Sequence, residues 1–223
     1  MARRYAAVIF DFDGTLADTL EGIVRGMALA FAEVGLAAPD PRVVARTIGV
    51  PLYDIVATLL PASHRTPARI TDVMERYRAA QPALLPTTLR LFPGAPELLV
   101  RLRGAGVRLA VASNKMRRDL VQHMQLLGIV EFFEQIDGGD DHPPAQRKPH
   151  PAPLLGLAHS LGLSSQELLM VGDTVYDLQM ARAAGVDSAA VTFGCHEEPL
   201  LRAEQPTYVV GSLAELGTLL LPE

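Results

Sequence analysis

Hydrophobic and polar positions divide the chain into three regimes. The first is short: Ala6-Ala7-Val8-Ile9-Phe10 is an unbroken apolar run that reads as a buried strand, and it stops at Asp11-Phe12-Asp13-Gly14-Thr15. The second has a helical period. Ile23, Met27, Ala30, Phe31 and Val34 fall on one helical face before Gly35, and Asp18 and Glu21 have the spacing of a capping box with Asp18 as N-cap. Further helices are predicted over 41–48, over 52–60, and from 63 or 66 to about 80. No convincing strand lies between Leu16 and about Thr87, and Pro82 and Pro86 read as a linker.

The third regime alternates. A helix over 96–105 closes at Gly106, and a strand over 107–112 ends in Ser113-Asn114. Leu120, Met124 and Leu127 mark the next helix, closed by Gly128, before a weaker strand over 132–136 and a loop over 137–150. A helix over 151–161 closes at Gly162, and a strand over 168–171 meets Gly172-Asp173. A helix over 175–184 stops at Gly185; strands over 188–192 and 208–210 and a helix over 213–220 follow.

Strands alternating with helices predict an α/β fold, a three-layer Rossmann-like parallel sheet, with the all-helical stretch inserted as a cap domain. The expected boundaries are 1–15 and 88–223 for the α/β core domain and 16–87 for the helical cap. With 223 residues, 49% hydrophobic and 20% charged, the chain can bury a substantial core. A net charge of −5, with no Lys/Arg run longer than a pair, argues against nucleic acid as a partner. Cys195 is the lone cysteine, which excludes an internal disulfide and fits a reducing compartment. Arg3-Arg4 before the first strand faintly resembles a twin-arginine signal, but the apolar run that follows is too short. No stretch approaches the roughly 20 apolar residues of a membrane span. A cytoplasmic protein with no membrane partner is expected.

Parallel α/β sheets place ligands beyond the carboxyl ends of their strands. Those ends carry Asp11 and Asp13, Ser113 and Asn114, and Asp173, and a loop after a further strand carries Lys148. Side chains at i and i+2 of an extended segment point the same way, so Asp11 and Asp13 would crowd one spot unless a cation or shared proton compensates. Each residue alone has an ordinary reading. The Asp pair could end a strand in solvent, Ser113 and Asn114 could cap a helix, and Lys148 could lie on the surface. Asp177 could be a first-turn acid, while Thr15 and Thr174 could satisfy turn backbone. Their joint placement at one sheet edge favours a functional site. Asp137, Asp140, Asp141 and His142 lack an established metal-ligand spacing and read as a solvated acidic turn. Cys195-His196 lacks a third orienting group and reads as structural.

Four motifs in order carry a resemblance: Asp11-Phe12-Asp13-Gly14-Thr15, Ser113-Asn114, Lys148-Pro149, and Gly172-Asp173-Thr174-Val175-Tyr176-Asp177. The chain resembles haloacid dehalogenase-like hydrolases, in the branch of phosphoglycolate phosphatases and related pyrophosphatases. The resemblance implies Asp11 as nucleophile forming a phospho-aspartate, Asp13 as general acid and base, and Lys148 as a catalytic cation. It implies Mg²⁺ held by the Asp11 side chain, the Asp13 carbonyl and Asp173, with Asp177 orienting metal-bound water or Lys148, or ligating directly. Ser113, with the backbone around Gly14 and Asn114, would hold the phosphoryl oxygens, and Thr15 is a further candidate for substrate contact. Arg46, in Arg46-Thr47-Ile48-Gly49-Val50-Pro51-Leu52, resembles a cap-loop residue and is a candidate for a substrate carboxylate or second phosphate, or else a helix-surface arginine. Ala152 stands where the family often carries Asp. The implied partner is a small phosphorylated metabolite, acted on by a monomer or homodimer. Alternatives are a pyrophosphatase, a sugar-phosphate phosphatase or mutase, and, outside enzymes, a receiver-like phospho-aspartate signalling domain.

Overall fold

The computed structural model describes residues 5–221, so the Arg3-Arg4 pair lies outside the described residues. Strand β1 (Ala7–Phe10) leads through a tight turn into β2 (Ala17–Asp18). Four helices follow: α1 (Leu20–Glu33), α2 (Pro41–Arg46), α3 (Leu52–Leu59) and α4 (Pro67–Thr88). Then come β3 (Arg90–Leu91), α5 (Ala95–Gly104), β4 (Arg108–Ala112), α6 (Arg117–Leu126) and β5 (Gln135–Asp137). The chain continues through α7 (Ala152–Leu161), β6 (Leu168–Gly172), α8 (Val175–Ala184) and β7 (Asp187–Val191). It ends with α9 (Glu198–Ala203), β8 (Tyr208–Val210) and α10 (Leu213–Leu220).

Six strands form one parallel sheet in the order β5-β4-β1-β6-β7-β8. The strand period of two sorts β1 onto both faces. Val8 and Phe10 join Leu99, Leu102, Leu120, Met124 and Leu213 on one side, whereas Ala7 and Ile9 meet Leu154, Leu157, Met170 and Met180 on the other. Burial on both faces explains why the strands read as continuous apolar runs, and it makes the three expected layers. Strand order reverses at β1, which pairs with β4 on one edge and β6 on the other. That reversal opens the crevice in which such sheets hold ligands.

The helices α1–α4 gather a separate apolar cluster around Met27, Phe31, Val44, Ile48, Val56 and Val73. Three expectations fail in this region. A strand is present: β2 pairs antiparallel with β3, Ala17 opposite Leu91 and Asp18 opposite Arg90. Asp18 is therefore a strand residue whose carboxylate meets Arg90 at 3.4 Å, and Thr19 takes the N-cap position of α1 without a side-chain bond. Ribbon pairing claims the backbone that a capping box would need. Nor are Pro82 and Pro86 a linker, because α4 runs through both and beyond. Close packing of α4 along α1, where Tyr77 and Gln81 crowd Gly26, overrides the lost backbone donors. The hydroxyls of Thr87 and Thr88 both donate to Leu84 O near the helix end. Outside this region, α9 is an element the sequence did not predict; its six residues are too few for a clear period.

Candidate active site

Asp11 continues β1 by one residue. Its N–H donates to Val171 O at 2.8 Å, which holds it at the carboxyl end of the sheet between β4 and β6. The chain then folds back tightly: Phe12 O accepts from Leu16 N and Ala17 N, at 3.1 and 3.0 Å. Gly14 turns at a φ of +82°, and a Cβ there would stand 2.1 Å from Asp173 Oδ2. Only glycine allows both the positive φ and this approach.

Asp173 follows β6 and is fully buried. Its Oδ1 accepts from the Thr15 hydroxyl at 2.8 Å and its Oδ2 from Cys195 N at 2.7 Å. Four residues on, Asp177 closes a capping box on α8, its Oδ2 accepting from Thr174 N and the Thr174 hydroxyl. The other oxygen of Asp177 meets Lys148 Nζ at 2.6 Å, and the same ammonium lies 3.1 Å from Asp11 Oδ1. One lysine thus bridges two acids. Asp11, Asp173 and Asp177 are all buried, with oxygens within 4.8 Å of one another.

Three carboxylates sharing one ammonium leave negative charge uncompensated, and the proton affinities show it. Burial, then the charge of Asp177, push Asp11 up to about 8 against the pull of Lys148. Burial and Asp177 likewise raise Asp173 to about 7. For Lys148 burial alone would lower the pKa, but Asp11 and Asp177 outweigh it and hold the group at about 12. An all-oxygen set with surplus negative charge, cradled by a glycine that leaves no Cβ, fits a hard divalent cation such as Mg²⁺. Both oxygens of Asp177 already serve Lys148 and Thr174. Asp177 thereby ties Lys148 to the start of α8 beside the other two carboxylates.

Asp13 is held apart from that cluster. Lys115 Nζ lies 3.1 Å from each of its oxygens and 5.9 Å from the Phe12 ring centroid. Burial works to raise the Asp13 pKa, yet Lys115 and then His123 hold it below the usual carboxylate value. His123 is buried as well and stays neutral: burial, then Lys115, press it down to about 4 although Asp13 pulls the other way. Lys115 escaped the sequence reading because it belongs to none of the matched motifs. A signal was available, since Lys115 and Lys148 are the only lysines in the chain and every other fixed cation is arginine.

The remaining candidates divide. Ser113 is buried after β4; its N–H donates to Asp137 O and its Oγ accepts from Lys115 N at 3.3 Å. Asn114 works as a backbone clamp: its Oδ1 accepts from Lys148 N, and its Nδ2 donates to Lys148 O and, at 2.8 Å, to Gly49 O. Gly49, beyond α2, has a φ of +102°, and a Cβ there would lie 2.9 Å from Thr174 Cγ2, so its loop meets the start of α8. Arg46 does not join the carboxylates. It is exposed and pairs with Glu197 at 3.2 Å, so its candidate role as an anion receptor has no support in this geometry. In the loop after β5, Asp140 and Asp141 bind Arg117 and Asp137 binds His142, which leaves that turn structural. Cys195 lends its backbone N–H to Asp173, and His196 Nδ1 accepts from Val175 N at the start of α8.

Comparison with known proteins agrees with this geometry. The model of the haloacid dehalogenase-like hydrolase family matches residues 8–191. A protein of Dickeya dadantii named "Probable phosphatase IndB" is 36% identical over 213 residues, covering 94% of this chain and 90% of that one. A phosphoglycolate phosphatase of Rhodospirillum rubrum is 35% identical over 204 residues, covering 87% of this chain and 82% of its own length. Among solved structures, a "predicted phosphoglycolate phosphatase" from Haemophilus somnus superposes with a TM-score of 0.89 at 25% identity, covering 97% of this chain and 98% of that one. No helix among the described residues is long and apolar enough to cross a membrane.

Proposed function

This chain belongs to the haloacid dehalogenase-like hydrolase family and is a phosphatase of its phosphoglycolate phosphatase-like branch, and we propose that it hydrolyses a small, carboxylate-bearing phosphate monoester through a phospho-aspartate on Asp11. The observation that carries this reading is the division of the carboxylates. Asp11 lies with Asp173 and Asp177 around Lys148, while Asp13, two residues on, is held by a different cation.

In the proposed reaction an oxygen of Asp11 attacks phosphorus as the bond to the leaving oxygen breaks, and Asp13, ionised at rest on Lys115 but carrying a proton in the reacting complex, gives that proton to the leaving oxygen. Water then attacks the phosphorus of the phospho-aspartate and hands a proton back to Asp13, which releases phosphate and restores both acids. Lys148 keeps Asp11 in place and offsets charge on the phosphoryl oxygens; Ser113 and the backbone N–H groups near Gly14 supply further donors. Mg²⁺, held by Asp11, Asp173 and the Asp13 carbonyl with Asp177 alongside, would supply charge neutralisation at the phosphoryl group. The helical cap, assigned to 16–87, would select the substrate over a core formed by 1–15 and 88–223. Its separate apolar cluster supports that division.

The test is phosphate release from 2-phosphoglycolate, sugar phosphates and pyrophosphate, with Mg²⁺ or with chelator, for the native chain and for Asp11→Asn. We expect Mg²⁺-dependent release that is greatest with 2-phosphoglycolate and falls to background in Asp11→Asn. Turnover surviving that substitution overturns the nucleophile assignment. Preference for pyrophosphate or a sugar phosphate overturns the substrate class.

A further inference from the structure

Two cations face the two acids of the opening motif, and the proposed reaction uses only Lys148. The second, Lys115, stands on the loop after β4, directly beyond Ser113 and Asn114. Its ammonium sits symmetrically on Asp13, at 3.1 Å from both oxygens, with 14% of its side chain exposed. A carboxylate gripped at both oxygens cannot turn either one freely to the leaving group, so this pairing describes a resting arrangement.

A lysine in that place can exchange partners. Its ammonium is a compact point charge on a flexible stem, unlike the planar fork of arginine, and apart from Lys148 every other fixed side-chain cation of the chain is an arginine. Other positive groups are committed elsewhere: Lys148 to Asp11 and Asp177, and Arg46 to Glu197. Two features of the neighbouring residues favour an incoming anion. Arg78 of α4, which has no carboxylate partner among the described residues, lies with its Nη2 3.0 Å from the sulfur of Met116, the residue after Lys115. Beside the Lys115–Asp13 pair, buried His123 has an Nδ1 with no hydrogen-bond partner among the described residues.

We propose that Lys115 is the receptor for a carboxylate carried by the leaving group, and that it reaches this carboxylate by exchanging partners with Asp13. The inference rests on the phospho-aspartate reading above and adds the residue that makes it selective. When the carboxylate takes the ammonium, both Asp13 oxygens are released toward the leaving oxygen. An ester without the carboxylate leaves Lys115 on Asp13. Recognition of the substrate and release of the proton carrier are then one event.

The experiment compares kcat/KM for 2-phosphoglycolate and ethyl phosphate, whose leaving groups differ by the carboxylate, in the native chain and in Lys115→Met. We expect the native chain to prefer 2-phosphoglycolate, and the ratio of the two values to fall roughly 10- to 100-fold in the variant, the scale of one charge-assisted hydrogen bond. A second readout uses the native chain alone. With lysine labelled by ¹³C at Cε it gives only two side-chain signals, that of Lys115 being identified by its absence in Lys115→Arg. In the presence of Mg²⁺, 3-phosphonopropionate should shift the Lys115 signal and propylphosphonate should leave it in place. A native chain with no preference overturns both the substrate class and the role of Lys115. A preference that survives in Lys115→Met, or an equal response of Lys115 to both phosphonates, overturns the role of Lys115 alone.

Discussion

Asp11 and Asp13 stand two positions apart on one turn, and what separates their chemistry is the cation each one faces. Asp11 shares Lys148 with Asp177, so its charge remains under strain; Asp13 has Lys115 to itself. In the proposed reaction this assigns attack to the first and proton transfer to the second. Asp13→Asn should lower kcat/KM on 2-phosphoglycolate by about 10²- to 10⁴-fold, the usual range for a positioned acid or base. The loss on p-nitrophenyl phosphate should be much smaller, because p-nitrophenolate leaves without a proton. Values of kcat/KM on the two esters, which report only the steps up to loss of the leaving group, decide this, and equal losses would remove Asp13 from the role of acid to the leaving oxygen. At this scale the sequence was legible wherever a residue belonged to a recognisable group. Asp11, Asp173, Asp177 and Lys148 converge as expected, whereas Lys115 had only its rarity to mark it. For Arg46 the sequence left two readings open, anion receptor or surface arginine, and it could not reveal that Glu197, far along the chain, comes within reach.

Secondary structure was legible where one force dominates. Strands β1, β4 and β6 are buried on both faces, so burial alone writes them as apolar runs. The Gly-closed helices α7 and α8 end where a left-handed residue is required, at Gly162 and Gly185. Reading failed where tertiary contact outweighs local preference, as in the ribbon that takes Asp18 and the packing that carries α4 through Pro82 and Pro86. Asn114 shows how the elements are tied at the site. One amide bonds both backbone groups of Lys148 and the carbonyl of Gly49. Asn114→Ala should destabilise the fold by about 1–3 kcal/mol, since it leaves partly buried backbone groups without partners. It should also lower kcat as Lys148 loses its fixed position. Denaturant midpoints and steady-state rates measured together check this, and a variant that matches the native chain in both would show the clamp to be incidental.

For the whole molecule, three layers around a sheet whose order reverses at β1 account for where the site lies, and that architecture followed from alternation alone. What alternation could not show was the electrostatic state of the crevice. Asp11 at about 8 and Asp173 at about 7 bind protons more tightly in the native chain than in the unfolded one, where such groups titrate near 3.8. The native state therefore holds more protons across that interval, and without metal its stability should fall as pH rises from about 4 toward about 8. Mg²⁺ competes for the same oxygens, so its stabilising effect should be larger at pH 8 than at pH 6. Melting temperatures in chelator and in excess Mg²⁺ at the two pH values test both signs; a Mg²⁺ effect that shrinks with pH would contradict them.

The central place of β1 has a consequence for synthesis on the ribosome. The strand that leads to the nucleophile is the first of the sheet to be made, yet its neighbours begin only at Arg108 and Leu168. At about 5–20 residues per second, roughly 5–20 s pass before the first neighbour can exist, and longer before the second. For that time a fully apolar segment has two open edges and no partner. The nascent chain is then a substrate for chaperones and for misassembly, and Asp11, translated before every other residue of the site, is competent only once Asp173 and Asp177 have emerged.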